Sequence, residues 1–356
     1  MIIFGIETSC DETAAAIIEG EKDSRRVKLL SNSISSSLSL HAATGGIIPE
    51  VAAREQVKYI IPVIREALAK IKNPKTELDA IAVTIGPGLI GSLLIGVETA
   101  RTLSYVWKKP LIPVNHLFGH IYANWLVGDS ELHMDKNPHP TSYSLRADIE
   151  FPVIALVVSG GHTDLVLMEN HNKTKWLGGT RDDAAGEAFD KTGRLLNLSY
   201  PAGPQIEKLA LGIKKDIYNF PRPLINSGDF DFSFSGLKTA VLRQVQAIGQ
   251  LNNETIANIC YSLQNAIFDV LVKKTLDAAI NFRTKSILLG GGVAANQTLK
   301  RTFELKIENS KLKIKLFVPT KSLCTDNAAM IATAGFFNQE KVAWDKITPN
   351  PELYFD

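Results

Sequence analysis

Apolar residues follow two rhythms along this chain. Short runs such as "IIFGIE" (residues 2–7) and "AIAVTIG" (80–86) read as strands, whereas residues 49–71 and a stretch from Ser92 space their apolar positions as helices do. Within residues 49–71, Val57, Ile60, Ile61, Ile64, Leu68 and Ile71 recur at helical spacing and Pro62 interrupts them, which predicts two helices or one kinked helix. "PVIALVVSGGHTDLVLM" (152–168) is a pair of apolar runs about a Ser-Gly-Gly turn, a β-hairpin pattern, and "IIFGIETSCDETAAAII" (2–18) has the same form. The alternation of strands and helices predicts an α/β architecture, and two like hairpins, one opening each half, hint at a duplicated fold. Residues 127–150, "VGDSELHMDKNPHPTSYSLRADIE", are polar and aperiodic, so they predict a surface loop or inter-domain connection with His133 and His139 in solvent.

Composition narrows the class without fixing it. A length of 356 residues allows two domains, and 45% hydrophobic with 21% charged residues is ordinary for a globular chain. Lys plus Arg at 39 against Asp plus Glu at 37 leaves a net charge of +2, so any nucleic-acid partner must be held by a local patch. Cys10, Cys260 and Cys324 are odd in number and far apart, which fits a reducing compartment rather than a disulfide framework. No run reaches the roughly 18 consecutive apolar residues of a membrane span. Met1 leads straight into a strand pattern with no basic lead or cleavage site, so the expectation is a cytoplasmic protein, with a processed mitochondrial chain as the alternative.

Several constellations can carry chemistry. In "IPVNHLFGHIYANWL" (112–126), His116 and His120 stand four apart on one helical face, with Cβ atoms about 5–6 Å apart. That spacing suits two ligands on one metal ion, or equally two partly buried helix histidines satisfied by backbone or water. Glycines cluster at "IGPGLIGS" (85–92), "VSGGHTD" (158–164), "YPAGP" (200–204) and "LGGGVAANQ" (289–297), each able to bring backbone close to a phosphate or ribose, or merely to make a tight turn. The last runs strand, glycine turn, helix, offers Asn296 near the helix start, and matches G-x-G-x-x-A over 290–295; too few residues follow it for a Rossmann fold. Carboxylates gather as Glu7, Asp11 and Glu12 in the first hairpin, as Asp182, Asp183, Glu187 and Asp190, and as Asp326 at the start of an apolar helix, where capping is the simple role. Asp183, Glu187 and Asp190 would share one helical face. "DFDFSFSGLKTAV" alternates over 229–234 as a strand, then offers Ser235 as an N-cap and Lys238 in the first helical turn, facing a phosphate or solvent.

Taken in order, "GIETSCDET", "HAATGGIIPEVAAREQ", "IGPGLIGSLLIGVETAR", "NHLFGH", "VSGGHTDL", "DDAAGEAFDKTGRLL", "YPAGP", "FSFSGLKTA", "GGGVAAN" and "CTDNAAMIA" resemble the TsaD family of tRNA N6-adenosine threonylcarbamoyltransferases over nearly the whole chain. The "SGGHT" turn with His162 is similar to the bacterial and mitochondrial branch. The resemblance implies two related α/β domains of the actin, Hsp70 and sugar-kinase superfamily with a nucleotide in the inter-domain cleft. On that expectation residues 1–113, completed from about 325–356, form one domain, and residues 114–324, bearing the metal and nucleotide motifs, form the other. It also implies one divalent metal ion, iron or zinc, on His116, His120 and Asp326. Val157, Val158, Ser159, Gly160, Gly161, Asp190, Gly203, Glu207 and Asn296 would hold the adenylate, with Asp11 and Glu12 near the reacting group. The implied reaction moves threonylcarbamoyl from threonylcarbamoyl-AMP to N6 of adenosine 37 in tRNAs reading codons that start with A. Implied partners are a TsaB-like subunit and a TsaE-like ATPase in bacteria, or a second copy in mitochondria, and no membrane. A metalloprotease and a non-catalytic nucleotide-binding scaffold are the rivals. The first is disfavoured because Leu117 stands where a zincin helix has its glutamate. Residues 127–150 are longer than the family's usual link, and "LKRTFELKIENSKLKIKL" (299–316) is a candidate tRNA-facing strip.

Overall fold

Both predicted hairpins form, and each opens a five-stranded sheet. The computed structural model describes residues 1–20, 27–128, 143–145 and 148–355. Its chain divides into two units, Met1–Ile149 with Pro319–Asp356, and Glu150–Val318.

In the first unit β1 (Ile2–Glu7) pairs antiparallel with β2 (Glu12–Gly20), and β2 with β3 (Val27–Ser36); β4 (Ala80–Gly86) and β5 (Leu111–Asn115) add in parallel, giving the order β3-β2-β1-β4-β5. The Pro49–Ala67 and Ile90–Trp107 helices close a core of Phe4, Ile6, Ile17, Ile60, Val63, Ile64, Ile81 and Val97. The almost wholly buried Ala328–Phe337 helix also packs on the sheet. Pro62 neither divides nor ends its helix, which runs unbroken through it. The proline lies on the exposed side, and the interior cost of about 3 kcal/mol is offset by burying Ile60, Val63 and Ile64 at about 1.5–3 kcal/mol each. The buried face is Ala52, Gln56, Ile60, Val63, Ile64 and Ala67, so Val57 and Ile61, counted in the apolar stripe from spacing alone, point to solvent.

In the second unit β8 (Val153–Val158) and β9 (Thr163–Asn170) form the second hairpin, β10 (Lys173–Gly179) extends it, and β11 (Ser286–Gly290) and β12 (Lys315–Phe317) add in parallel. The order β10-β9-β8-β11-β12 repeats that of the first sheet strand for strand, with the same directions. The fold is therefore duplicated α/β. The Asn253–Asn281 helix has the length and apolar composition of a membrane span; most of that stretch is buried in this unit instead.

Three expectations need correction. The unit boundaries fall at 149/150 and 318/319, not at 113/114 and 324/325, so the metal motifs belong to the first unit. The physical reason is continuity: β5 runs straight into the His116–Tyr122 helix, which packs on the Ala328–Phe337 helix. Residues 229–234 make no strand, only a single bridge from Phe232 to Thr180; their alternation records burial of Phe232 and Phe234 in an irregular segment. Part of the expected loop at 127–150 is a two-stranded ribbon of β6 (Leu126–Gly128) and β7 (Tyr143–Leu145), while His133 and His139 lie outside the described residues.

Candidate metal centre and adenylate ring

The metal centre is assembled at one end of the first sheet. Where β5 ends, the Asn115 side-chain oxygen accepts from the Leu117 amide at 2.8 Å and starts the His116–Tyr122 helix. His116 and His120 then lie one turn apart, ring centroids 4.6 Å from each other. A Cβ on Gly119 would come within 2.7 Å of the Ile331 Cδ1, so the glycine lets this helix lie close against the Ala328–Phe337 helix without displacing that side chain. That contact brings in Asp326. The capping role expected of Asp326 falls to its neighbour, because the Asn327 oxygen accepts from the Met330 amide at 3.0 Å. The Asp326 carboxylate instead approaches the His120 Nε2 at 3.2 Å and the His116 Nε2 at 3.6 Å. One ligand atom from each of the three residues lies within 4.8 Å of the others.

Two observations show that these residues fit a cation. His120 is 1% exposed and its ring makes no hydrogen bond. Nδ1 faces no acceptor or donor, and Nε2 has only the Asp326 carboxylate at 3.2 Å in a geometry that is not a hydrogen bond, a costly state for a buried imidazole unless a cation sits between them. The second is an excess of carboxylate. Burial, then the Asp326 and Asp11 carboxylates, push the Glu12 carboxyl up to about 10. Burial and the Asp11, Asp326 and Glu12 carboxylates likewise push the Cys10 thiol up. Burial would lower His116, but Asp326 and Glu7 outweigh it and raise the imidazole to about 9. A bound cation would relieve all three.

The second ring nitrogen of His116 is held as well. Its Nδ1 lies 3.0 Å from the Glu7 Oε2 and 3.1 Å from the Ser9 Oγ, and Thr84 donates to the same Glu7 oxygen at 2.6 Å. Orienting a ligand imidazole through its far nitrogen is how outer partners aim Nε2 at a metal. The turn bearing Asp11 and Glu12 is clamped by Gln56, whose amide nitrogen donates to the carbonyls of Thr8, Cys10 and Glu12 at 3.0–3.2 Å. Glu7 stood among the sequence candidates without a role, and Ser9, Thr84 and Gln56 were missed. The one available signal was a carboxylate closing an otherwise apolar strand.

In the second unit the predicted adenylate residues form a closed ring. The Gly186 amide, on the Ala185–Leu195 helix, donates to the Ser159 carbonyl in the turn after β8 at 3.1 Å. Asp190 of the same helix accepts from the Ala202 amide at 2.7 Å, just ahead of Gly203 and the Gly203–Ala210 helix. Glu207 of that helix accepts from the Gln297 amide at 2.7 Å, beside Asn296. Asn296 caps the Gln297–Asn309 helix through the Thr298 and Leu299 amides, and its amide nitrogen reaches Gln264 at 3.3 Å. Gly291, at φ 93°, returns to the start: a Cβ there would sit 2.4 Å from the Val158 carbonyl. Val157 and Val158 are buried on β8, while Gly160 and Gly161 are exposed with nothing within 4 Å of a Cβ position.

The predicted row of three carboxylates does not form. Its helix begins at Ala185, leaving Asp183 outside; Asp183 and Glu187 pair with Lys191 at 2.6 and 3.0 Å, and Asp190 turns to Ala202. Ser235 is not an N-cap but the first residue of the Ser235–Ile248 helix, whose amide-capping group comes from Asp182. Lys238 is exposed.

The family model for TsaD, tRNA N6-adenosine threonylcarbamoyltransferase, matches residues 28–333. The chain belongs to the TsaD family. A tRNA N6-adenosine threonylcarbamoyltransferase of Symbiobacterium thermophilum is 48% identical over 336 residues, 94% of this chain and 91% of that relative. One of Dehalococcoides mccartyi is 47% identical over 337 residues, covering 95% and 93%. Among solved structures, HypF of T. kodakarensis superposes with a TM-score of 0.60 at 16% identity, over 95% of this chain. The chain spans about half of HypF, 48%, and at this identity the likeness is one of fold alone. For a TsaD member the buried Leu117 is as informative as the histidines, since no glutamate occupies the water-activating place of a zincin helix.

Proposed function

We propose that this chain transfers the threonylcarbamoyl group of threonylcarbamoyl-AMP to N6 of adenosine 37 in tRNAs reading codons that begin with A. The observation that carries the reading is the convergence of the buried His116 and His120 with the half-buried Asp326, the His120 ring making no hydrogen bond, in a chain of the TsaD family. The reading takes the ion to be a divalent one, iron or zinc, since two imidazoles and one carboxylate suit either and leave coordination positions open. When bound, it would supply orientation and polarisation of the threonylcarbamoyl moiety.

The rest of the chemistry falls to the chain. In the transfer the N6 amine forms a bond to the carbamoyl carbon, the bond from that carbon to the phosphate oxygen breaks, and AMP leaves with the electron pair. The amine proton needs an acceptor. The acceptor role is assigned to Asp11, in the turn that Gln56 fixes, with Glu12 next to it. In the second unit the open Gly160 and Gly161 amides would steady phosphate charge, and Asp190, Gly203, Glu207 and Asn296 would line the nucleoside. The carboxylates of Asp190 and Glu207 already brace the ring through one oxygen each, which presets the other.

The His162-bearing turn supports the bacterial and mitochondrial branch, and with it a TsaB-like subunit and a TsaE-like ATPase in the cytoplasm, or a homodimer in the mitochondrial matrix. The deciding test incubates the protein and bacterial partner subunits with threonylcarbamoyl-AMP and unmodified tRNA, then searches digested tRNA for threonylcarbamoyladenosine by mass spectrometry. Product is expected from the parent and not from His120→Ala. Absence of product from a parent that still binds metal and adenylate would favour a scaffold.

A further inference from the structure

The His116–Tyr122 helix has seven residues, well below the roughly 12–15 at which a helix holds itself together, so its place must be set from outside. One outside support is the Ala328–Phe337 helix. A second is the segment 350–355, which lies outside the candidate ligand and adenylate residues. The Asn115 side-chain nitrogen donates to the Tyr354 carbonyl at 2.9 Å while its oxygen caps the helix, so the residue that starts the helix is tied to this segment. Phe118, between the two histidines, meets the Phe355 ring edge-on with centroids 5.3 Å apart, and Phe355 is 8% exposed.

The same segment reaches His116 by another route. The Asn350 amide donates to the Ile85 carbonyl at 2.6 Å and the Gly88 amide to the Pro351 carbonyl at 3.3 Å. A Cβ on Gly86 would lie 1.8 Å from the Asn350 oxygen, so the strand end and the segment are in backbone contact that only glycine permits. The next amide, Leu89, donates to the Ser9 carbonyl at 2.8 Å, and the Ser9 hydroxyl lies 3.1 Å from the His116 Nδ1. Residues 350–355 thus grip the histidine helix through Asn115 and Phe118, and through Gly88, Leu89 and Ser9 they grip the far side of the His116 ring.

We propose that residues 350–355 form a positioning strap for the metal centre, with Phe355 as its anchor, so that the affinity of the site for its cation depends on a segment that supplies none of the three candidate ligands. The inference rests on the metal reading above, and the test separates the two. Zn(II) affinity is measured by chelator competition, and unfolding midpoints by circular dichroism, for the full chain and for Phe355→Ala, Phe355→Leu and Ile347→Ala. Ile347 is 3% exposed and packs in the core of the same unit, so its variant reports general loosening.

Phe355→Ala is expected to weaken Zn(II) binding about tenfold, at the lower end of what loss of an outer partner costs a metal site. Phe355→Leu, which keeps an apolar body in the socket, should recover most of that. Ile347→Ala should lower the unfolding midpoint without a matching loss of Zn(II). If Phe355→Ala is too unstable to assay, Phe355→Leu carries the test, with a smaller but measurable loss expected. Parent-like affinity in the Phe355 variants, or an equal loss in Ile347→Ala, overturns the strap. A parent chain that takes up no Zn(II) overturns the metal reading and the strap with it.

Discussion

Glu7 is wholly buried, yet it is a carboxylate at the end of an apolar strand, and burying such a group is costly unless each oxygen is occupied. Both are. One oxygen accepts from the Ser9 amide, and the other from the Thr84 hydroxyl and the Nδ1 side of His116. Glu7→Gln keeps the volume but replaces one acceptor by a donor, leaving either the Ser9 amide or the Thr84 and His116 pair facing an N–H. Metal affinity is expected to fall about 10–100-fold with the fold retained, as read by chelator competition beside circular dichroism. An unchanged affinity would mean that Glu7 merely fills space. This partnership was not legible in the sequence, because it spans 109 residues and exists only once β4 has set β1 and β5 in register. The two histidines were legible because one helical turn carries both. Their third ligand needed the family resemblance, since Asp326 and Asn327 look equally fit to cap a helix until the structure shows which one does.

Among the elements, the hairpins were plain in the sequence because adjacent strands and a short turn fail or form together. The strict alternation at 229–234 misled for a related reason: period two reports which residues are buried, and an irregular segment lying along a core can bury every second residue as a strand does. What holds that segment is Asp182. Its carboxylate accepts from the Ser233 and Ser235 hydroxyls at 2.5 and 2.7 Å and from the Phe234 and Ser235 amides at 2.8 and 3.2 Å. It therefore caps the Ser235–Ile248 helix from 53 residues away. Asp182→Ala should cost about 0.5–2 kcal/mol in a urea titration, the range for a lost N-cap. Partial burial would raise this carboxyl, but the four donors prevail and hold it below the ordinary value. The folded state thus binds its proton less readily than the unfolded chain does. The stabilisation is full above the unfolded carboxylate value, near 4, and is lost as pH falls through the depressed folded value. The gap between parent and Asp182→Ala should consequently narrow below about pH 4, and a gap independent of pH would remove the carboxylate from the explanation.

For the whole molecule, duplication was foreshadowed by the paired hairpins, whereas the division of the chain was not. A boundary is visible in sequence when composition changes across it, and β5 passes into the histidine helix with no such change, while Asp326 arrives from the other end of the chain. A second property of the whole molecule is its charge. At +2 it offers a polyanion little general attraction, so the tRNA of the proposed reaction has to be met by a local excess of cations. The 299–316 strip supplies one. Leu299, Phe303 and Ile307 bury one face of the Gln297–Asn309 helix, which leaves Lys300, Arg301 and Lys306 exposed, and Lys311 and Lys313 are exposed beyond its end. Lys315 is already committed to Glu150 at 2.8 Å. Replacing Lys306, Lys311 and Lys313 together with Glu should weaken tRNA binding and leave Zn(II) and adenylate binding as they were. The sharper readout is the salt dependence. Each phosphate that no longer meets a lysine should flatten the slope of log affinity against log salt by about 0.7–0.9, so a triple variant that binds tRNA more weakly because of this strip must also show a shallower slope. Weaker binding at constant slope would place the damage in the fold of the variant, and unchanged binding would return these lysines to the role of a solvated face.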